Sequence, residues 1–164
     1  MLETARMAGF IAAHGIWSVS DGETLIPLVC QEEQDGQRVV NRVMLDDVGD
    51  GARAAQEMVA LNEAGARRAV SVVDTYLHLP SGRVDALLVT AVEYEPVRRS
   101  VEIAVPYQPA DGDQEFAVYR LKLMDLDGVD EADQDELVDA FFDGVESHGE
   151  AAPVWQQASV DASV

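Results

Sequence analysis

Two long runs of alternating apolar residues, joined by Pro80-Ser81-Gly82, constrain the fold of this chain more than any other feature. The runs extend from Ala69 to Leu79 and from Arg83 to Glu95, and both are rich in β-branched residues. Such runs on either side of a Pro-Ser-Gly junction predict a long β-hairpin. A two-residue turn at Ser81-Gly82 would place Leu79 opposite Val84.

The two faces of this hairpin differ in polarity, because successive residues of a strand point to opposite sides of the sheet. One face is largely apolar along its length, and we expect it to form the core; it includes Val73, Leu77, Leu79, Val84, Leu88 and Val92. The other face is apolar in the middle and polar at its ends, where it carries Tyr76, His78 and Asp85. We expect this second face to be covered only in part.

The rest of the chain supplies further strands and three helices. Apolar residues at helical spacing predict helices over 3–18, between 46 and 65, and over 133–147, and alternating segments predict strands at 24–32, 37–45, 100–107 and 115–124. The order αββαββββα predicts an α+β fold with a twisted, mostly antiparallel sheet of about six strands and helices packed on one face. We expect residues 1–148 to form a single domain and residues 149–164 to form a polar, flexible C-terminal tail.

This element order resembles that of the roadblock and profilin-like class, in which an antiparallel sheet carries helices. The resemblance implies a platform for docking or dimerisation. It lies in the order of elements, and the same fold can serve many functions.

The chain is strongly acidic, with 31 Asp and Glu against 11 Lys and Arg and a net charge of −20. Such a surface repels phosphate, and the only adjacent basic pairs are Arg67-Arg68 and Arg98-Arg99, so we expect no direct nucleic-acid binding. The longest uncharged stretch, residues 7–20, is shorter than the ~20 apolar residues of a membrane span. A single cysteine fits a reducing compartment. We therefore expect a cytoplasmic protein that binds no membrane.

Residues 125–136 come closest to a known metal-binding motif. Acids at positions 1, 3, 9 and 12 of this segment match the spacing of an EF-hand calcium loop: Asp125, Asp127, Asp133 and Glu136. However, Val129 stands where an oxygen ligand is required, and Asp130 stands where a glycine makes the sharp turn. We therefore expect an acid-rich start of the last helix and no calcium site.

Other candidate site residues carry weaker patterns: His14, His78 and His148 in different predicted elements, Cys30 in a β-branched run, and Glu93 with Glu95 near a strand end. The chain contains no P-loop, G-x-S-x-G elbow or G-x-G-x-x-G fingerprint. We accordingly assign no catalytic, cofactor-binding or metal-binding residue.

On these grounds we expect a non-catalytic interaction or accessory module, homodimeric or bound to another protein. A first alternative is a small enzyme or small-molecule binder with a pocket around Tyr76, His78 and Asp85, since the predicted register pairs His78 with Asp85. A second is an acidic nucleic-acid mimic, because residues 111–150 carry 14 acids and two bases and could occupy a basic protein partner. A flat apolar interface would favour the module, and a deep pocket would favour the enzyme.

Overall fold

The computed structural model describes residues 1–80, 82–112 and 114–164, which form four α-helices and a seven-stranded antiparallel sheet. The helices are α1 (Leu2–Val19), α2 (Val48–Leu61), α3 (Gln134–Glu146) and α4 (Ala151–Ala158). The strands are β1 (Leu28–Glu32), β2 (Arg38–Arg42), β3 (Arg68–Leu79), β4 (Gly82–Glu93), β5 (Arg99–Gln108), β6 (Ala117–Val118) and β7 (Lys122–Asp127). Their order in the sheet is β2-β1-β3-β4-β5-β6, and β7 also pairs with β5. The predicted α+β class with an antiparallel sheet is confirmed.

Strands β3 and β4 form the predicted hairpin with a register that differs by two residues. Gly82 begins β4 and pairs with Leu79, so the predicted pairing of Leu79 with Val84 is wrong. Gly82 has a φ of 131°, a conformation that favours glycine. A shift of two residues keeps every side chain on its own face, so both predicted faces persist. The predicted turn also includes Ser81, which lies outside the described residues.

The principal core lies on the hairpin face that was expected to be only partly covered. Helix α1 packs there against β3 and β4, with α3 and α4 against α1, over the fully buried Val70, Val72, Leu87 and Val89. The predicted core face instead carries a smaller cluster, in which Val73 and Val92 are buried and Leu88 is half-buried. The expectation was wrong because both faces of the hairpin are apolar in the middle. The larger helical surface selects the core, and α1 buries 11 residues where α2 buries three.

Helix α2 packs on this opposite face, so the helices cover both faces of the sheet and not one as predicted. Its Ala55 and Val59 contribute to the smaller cluster. The helix begins after Asp47, whose side chain accepts a hydrogen bond from the backbone N–H of Asp50 at 3.0 Å. It ends at Asn62, which has a left-handed conformation with a φ of 47°.

The segment predicted to be a flexible tail contains helix α4 and contacts the fold. Trp155 is only 5% exposed and packs against Phe141 with ring centroids 6.3 Å apart. Beyond the helix, Val160 N donates to the Val118 carbonyl oxygen at 2.8 Å. The prediction of a flexible tail was wrong for this part of the chain. A short helix has few apolar positions, and they form no clear pattern among the small and polar residues of 149–164.

Candidate functional site

A row of alternating charges crosses five adjacent strands at one end of the sheet. The strand registers place Arg38, Glu32, Arg68, Glu93 and Arg99 directly opposite one another in that order, on β2, β1, β3, β4 and β5. Directly opposed residues share a face. The row therefore lies on the face that α1 covers.

The centre of this charged row is buried, and Arg68 contacts both carboxylates at long distances: its Nε lies 3.4 Å from Glu32 Oε1 without a hydrogen bond among the described residues, and its guanidinium lies 4.0 Å from Glu93 Oε2. The side chains of Glu32, Arg68 and Glu93 are 6–7% exposed. Arg38 Nε lies 2.8 Å from Glu32 Oε2, and Arg99 is hydrogen-bonded to Glu93. The amino group of Met1 also donates to Glu93 at 3.1 Å.

Burial by itself would raise the pKa of Glu93, but the hydrogen bonds from the Met1 amino group and Arg99 outweigh it and hold this pKa below its usual value. Both carboxylates of the row are thus engaged by cations. This arrangement stabilises the packing of α1 on the sheet and offers no available general base. Glu95, by contrast, is exposed beyond the end of β4, so Glu93 and Glu95 do not form a catalytic pair.

Tyr76, His78 and Asp85 lie toward the tip of the β3–β4 hairpin and do not surround a cleft. The register pairs Tyr76 with Asp85 and His78 with Arg83, so the predicted pairing of His78 with Asp85 is wrong by the same two-residue shift. The Arg83 guanidinium stacks over the Tyr76 ring at 4.0 Å, and Tyr76 remains 48% exposed. The principal cavities among the described residues are lined by other side chains.

A polar pair that sequence reasoning missed, the buried Tyr107 with the half-buried Asp74, lies deeper on the same face. The Tyr107 hydroxyl donates to Asp74 Oδ1 at 2.9 Å. Burial raises the pKa of both groups, and the nearby Asp85 raises the pKa of Asp74 further, although the Tyr107 hydrogen bond opposes this rise. The only signal in the sequence is an acid inside a run of apolar positions. The pair satisfies its own hydrogen-bonding needs, and we assign it a structural role.

The acids of residues 125–136 are distributed over three elements. Asp125 and Asp127 lie in β7, a 3-10 turn covers Glu131–Asp133, and α3 begins at Gln134. Across the part of the chain that the structure describes, no group of three or more His, Cys, Asp or Glu is placed to hold a metal ion. Asp135 and Glu136 occupy the first turn of α3, where negative charge complements the helix dipole.

Cys30 is buried in the principal core on β1. Burial raises the pKa of its thiol to about 11. The thiolate is the reactive form, and it is scarce at neutral pH with such a pKa. Cys30 therefore acts as a small apolar core residue.

Two of the three histidines, which no sequence pattern connects, lie in contact. His14 on α1 and His148 beyond α3 are 134 positions apart, yet His14 Nδ1 lies 3.2 Å from His148 Nε2. Trp17 packs edge-on against His14, with ring centroids 5.6 Å apart. Only the packing of α3 on α1 creates this pair.

A partly apolar groove, here called the edge groove, lies between α2 and β1, near the free edge of the sheet. Strand β2 is the last in the sheet order, and all five of its residues are exposed. The groove has a volume of about 600 Å³. Ala54, Met58, Leu61 and Ala64 form its apolar lining, and Gln31, Glu57 and Glu63 contribute polar and charged side chains. Val39 lies directly opposite Gln31 on β2 and extends the same face outward.

Large exposed apolar side chains occur on β2, on the segment after it and on α2. They are Val39, Val40, Met44, Leu45, Val48, Met58 and Leu61. Met58 and Leu61 line the groove and Val39 lies on the same face, whereas Val40 lies opposite Cys30 on the face that α1 covers. Exposed apolar surface of this kind marks interaction sites on folded proteins. The apolar residues at 37–45 correctly indicate a strand. They do not show that this strand lies at the edge of the sheet, where its residues are exposed.

No known protein family, curated protein or solved structure matches this chain. Among the described residues, no helix is both long enough and apolar enough to cross a bilayer.

Proposed function

We propose that this protein is a non-catalytic interaction module that forms a homodimer through strand β2 and the edge groove. The observation that carries the proposal is an edge strand whose five residues are all exposed, beside a partly apolar groove. Since the groove floor continues onto β2 through Gln31 and Val39, both features belong to one surface.

An edge strand presents backbone N–H and C=O groups that a further strand can satisfy. A second copy supplies such a strand, because one edge can pair antiparallel with its own equivalent about a two-fold axis. The result is a continuous sheet through both copies.

The groove and the segment after β2 are complementary in such a dimer. Met44 and Leu45 follow β2 and are 72% and 51% exposed. Antiparallel pairing centred on Val40 brings Met44 of one copy beside Gly36 of the other, near the end of β2 where the groove lies. An apolar side chain thereby comes near the apolar part of the groove lining.

Charge also favours this edge over the other surfaces of the molecule. Two copies of charge −20 repel each other, but residues 36–45 contain two arginines and no acid. Arg38 is already paired with Glu32, which reduces repulsion between the arginines of the two copies.

Sedimentation equilibrium over a range of protein concentrations tests the proposal. We expect the mass to rise toward that of two chains as concentration increases. Leu61→Glu, which removes an apolar lining residue and adds a charge beside Glu57 and Glu63, should weaken association at least ~10-fold, equivalent to ~1.4 kcal/mol. Val40→Glu should do the same by disturbing the edge strand.

Val97→Glu is the matched control, because Val97 is 67% exposed and Leu61 is 66% exposed. Val97 lies outside both β2 and the residues that line the groove. We expect it to associate as the unmodified chain does. A mass that stays at one chain at every concentration would refute the proposal. If Val97→Glu weakened association as much as Leu61→Glu does, the edge groove would not be part of the dimer interface.

A further inference from the structure

In the hydrogen bond between His14 and His148, the donor and the acceptor can be assigned. The backbone N–H of Ala151 donates to Nδ1 of His148 at 3.1 Å, so this nitrogen carries a lone pair. The neutral His148 ring must then carry its proton on Nε2. That proton points to Nδ1 of His14 at 3.2 Å, and the neutral His14 ring carries its own proton on Nε2.

With this assignment, Nε2 of His14 is a hydrogen-bond donor that faces a second donor, the guanidinium group of Arg42. A guanidinium nitrogen of Arg42 lies 3.4 Å from His14 Nε2, and guanidinium groups only donate. The opposite assignment fails, because it would require His148 to accept at both ring nitrogens and lose its only proton. Arg42 forms no ion pair with any described residue. An acceptor bound beside both groups would satisfy them.

A metal ion does not fit between the two rings. Coordination by His14 Nδ1 and His148 Nε2 would require lone pairs on both atoms. The proton of His148 would then move to Nδ1 and face the N–H of Ala151. The backbone contact of His148 therefore favours an anionic acceptor at Arg42 over a cation at the histidines.

Both donors line one cavity of about 220 Å³. Its walls include Trp17, Leu25 and Leu28, and its rim includes the exposed acids Asp21 and Glu23. The volume lies below the ~300–1,000 Å³ of typical drug-sized sites, so a ligand must be small. The acidic rim opposes multiply charged anions and favours a ligand that carries a positive group as well.

We propose that this cavity binds a small zwitterion of the amino-acid class, with its carboxylate held between Arg42 and His14. A guanidinium group matches the two oxygens of a carboxylate. The acidic rim receives the ammonium group, and the apolar wall receives the side chain. This site lies on the face of the sheet opposite the edge groove, and one chain supplies all of its lining residues, but Arg42 also belongs to β2 of the proposed dimer interface.

Isothermal titration of the full chain with each of the twenty standard amino acids tests the inference. We expect saturable binding of at least one of them with one site per chain. Arg42→Gln and His14→Gln should each weaken that binding at least ~10-fold. Arg53→Gln is the control, because Arg53 is an exposed residue of α2 paired with Asp50 outside the cavity; it should bind unchanged.

Analogues of the tightest ligand test its charges. The amine that lacks the carboxylate and the N-acetyl derivative that lacks the positive charge should both bind at least ~10-fold more weakly. The inference is overturned if no amino acid binds, if either analogue binds equally well, if inorganic phosphate binds more tightly, or if Arg42→Gln has no effect. Repeating the titration with Leu61→Glu, which should be monomeric, separates this outcome from that of the proposed dimer.

Discussion

Gly9 on helix α1 lies directly against the backbone carbonyl of Phe141 on helix α3. A Cβ atom at Gly9 would lie 2.8 Å from the Phe141 carbonyl carbon and closer still to its oxygen. Gly144 on α3 approaches the backbone of Arg6 on α1 in the same way. The two helices therefore touch backbone to backbone, and this close contact brings the end of α3, and His148 after it, near α1.

We predict that Gly9→Ala destabilises the protein although alanine is the better helix former by ~1 kcal/mol. The added methyl group overlaps backbone atoms that cannot rotate away, and overpacking of this kind costs ~1–3 kcal/mol or more. Urea unfolding followed by circular dichroism measures the change. Gly149→Ala is the control, because a Cβ atom there meets nothing within 4 Å. Equal stability of Gly9→Ala and the unmodified chain would contradict the close helix contact.

The neighbouring residues Leu87 and Leu88 test which face of the sheet is the principal core. Leu87 is 0% exposed beneath α1, whereas Leu88 is half-buried in the cluster beneath α2. We expect Leu87→Ala to cost ~2–5 kcal/mol in the free energy of unfolding, as for other buried leucines. Leu88→Ala should cost less, because it removes fewer contacts. Chemical denaturation of both variants decides the matter, and the reverse order would restore the core face predicted from the sequence.

Arg68 tests the buried charged row. Its guanidinium group lies between Glu32 and Glu93, 4.0 Å from Glu93 Oε2. Loss of one partner of a buried ion pair costs ~3–5 kcal/mol, and we expect Arg68→Met to approach the lower end because Arg38 and Arg99 still neutralise the two carboxylates. Arg53→Met, which breaks an exposed pair, should change stability by less than ~1 kcal/mol. Thermal unfolding at neutral pH compares them, and similar small losses would show that the row contributes little.

The same row predicts a loss of stability in acid. The pKa of Glu93 is lower in the folded chain than its usual value of about 4.3. The unfolded chain therefore binds a proton first as pH falls, and the stabilisation by Glu93 decreases from about pH 4.3 down through the folded pKa. Glu93→Gln should lack this part of the pH dependence. Free energies of unfolding measured from neutral to acidic pH would contradict the assignment if the two curves remained parallel.

His14 should produce a separate effect at higher pH. Burial lowers its pKa, the neighbouring His148 and Arg42 lower it further, and only Glu150 opposes the shift. The unfolded chain gains a proton at His14 below about pH 6.5 while the folded chain does not, so stability should fall as pH decreases from there to the folded pKa. We expect His14→Gln to remove this slope and His78→Gln, at the exposed hairpin end, to retain it. NMR titration of His14 at or above the usual histidine pKa would contradict the prediction.

Local patterns in the sequence determined most strands, three of the four helices and the membership of each hairpin face, but the single strand predicted over 115–124 is divided into β6 and β7. Alternation with a period of two assigns side chains to faces whatever the turn geometry, which is why those faces survived an error of two residues in the register. The sequence also shows charged residues at the strand ends. Only the strand register shows that five of them lie side by side in one row: Arg38, Glu32, Arg68, Glu93 and Arg99.

Tertiary structure decided which face became the core, which strand became the edge, and which distant residues met. Val70 and Val73 are equally apolar, and the more extensive burial of α1 selected the face of Val70. The contact of His14 with His148 depends on Gly9 and Gly144, because their missing side chains allow α3 to approach α1. Such contacts leave no local signal, since they result from competition between surfaces that are far apart in the chain.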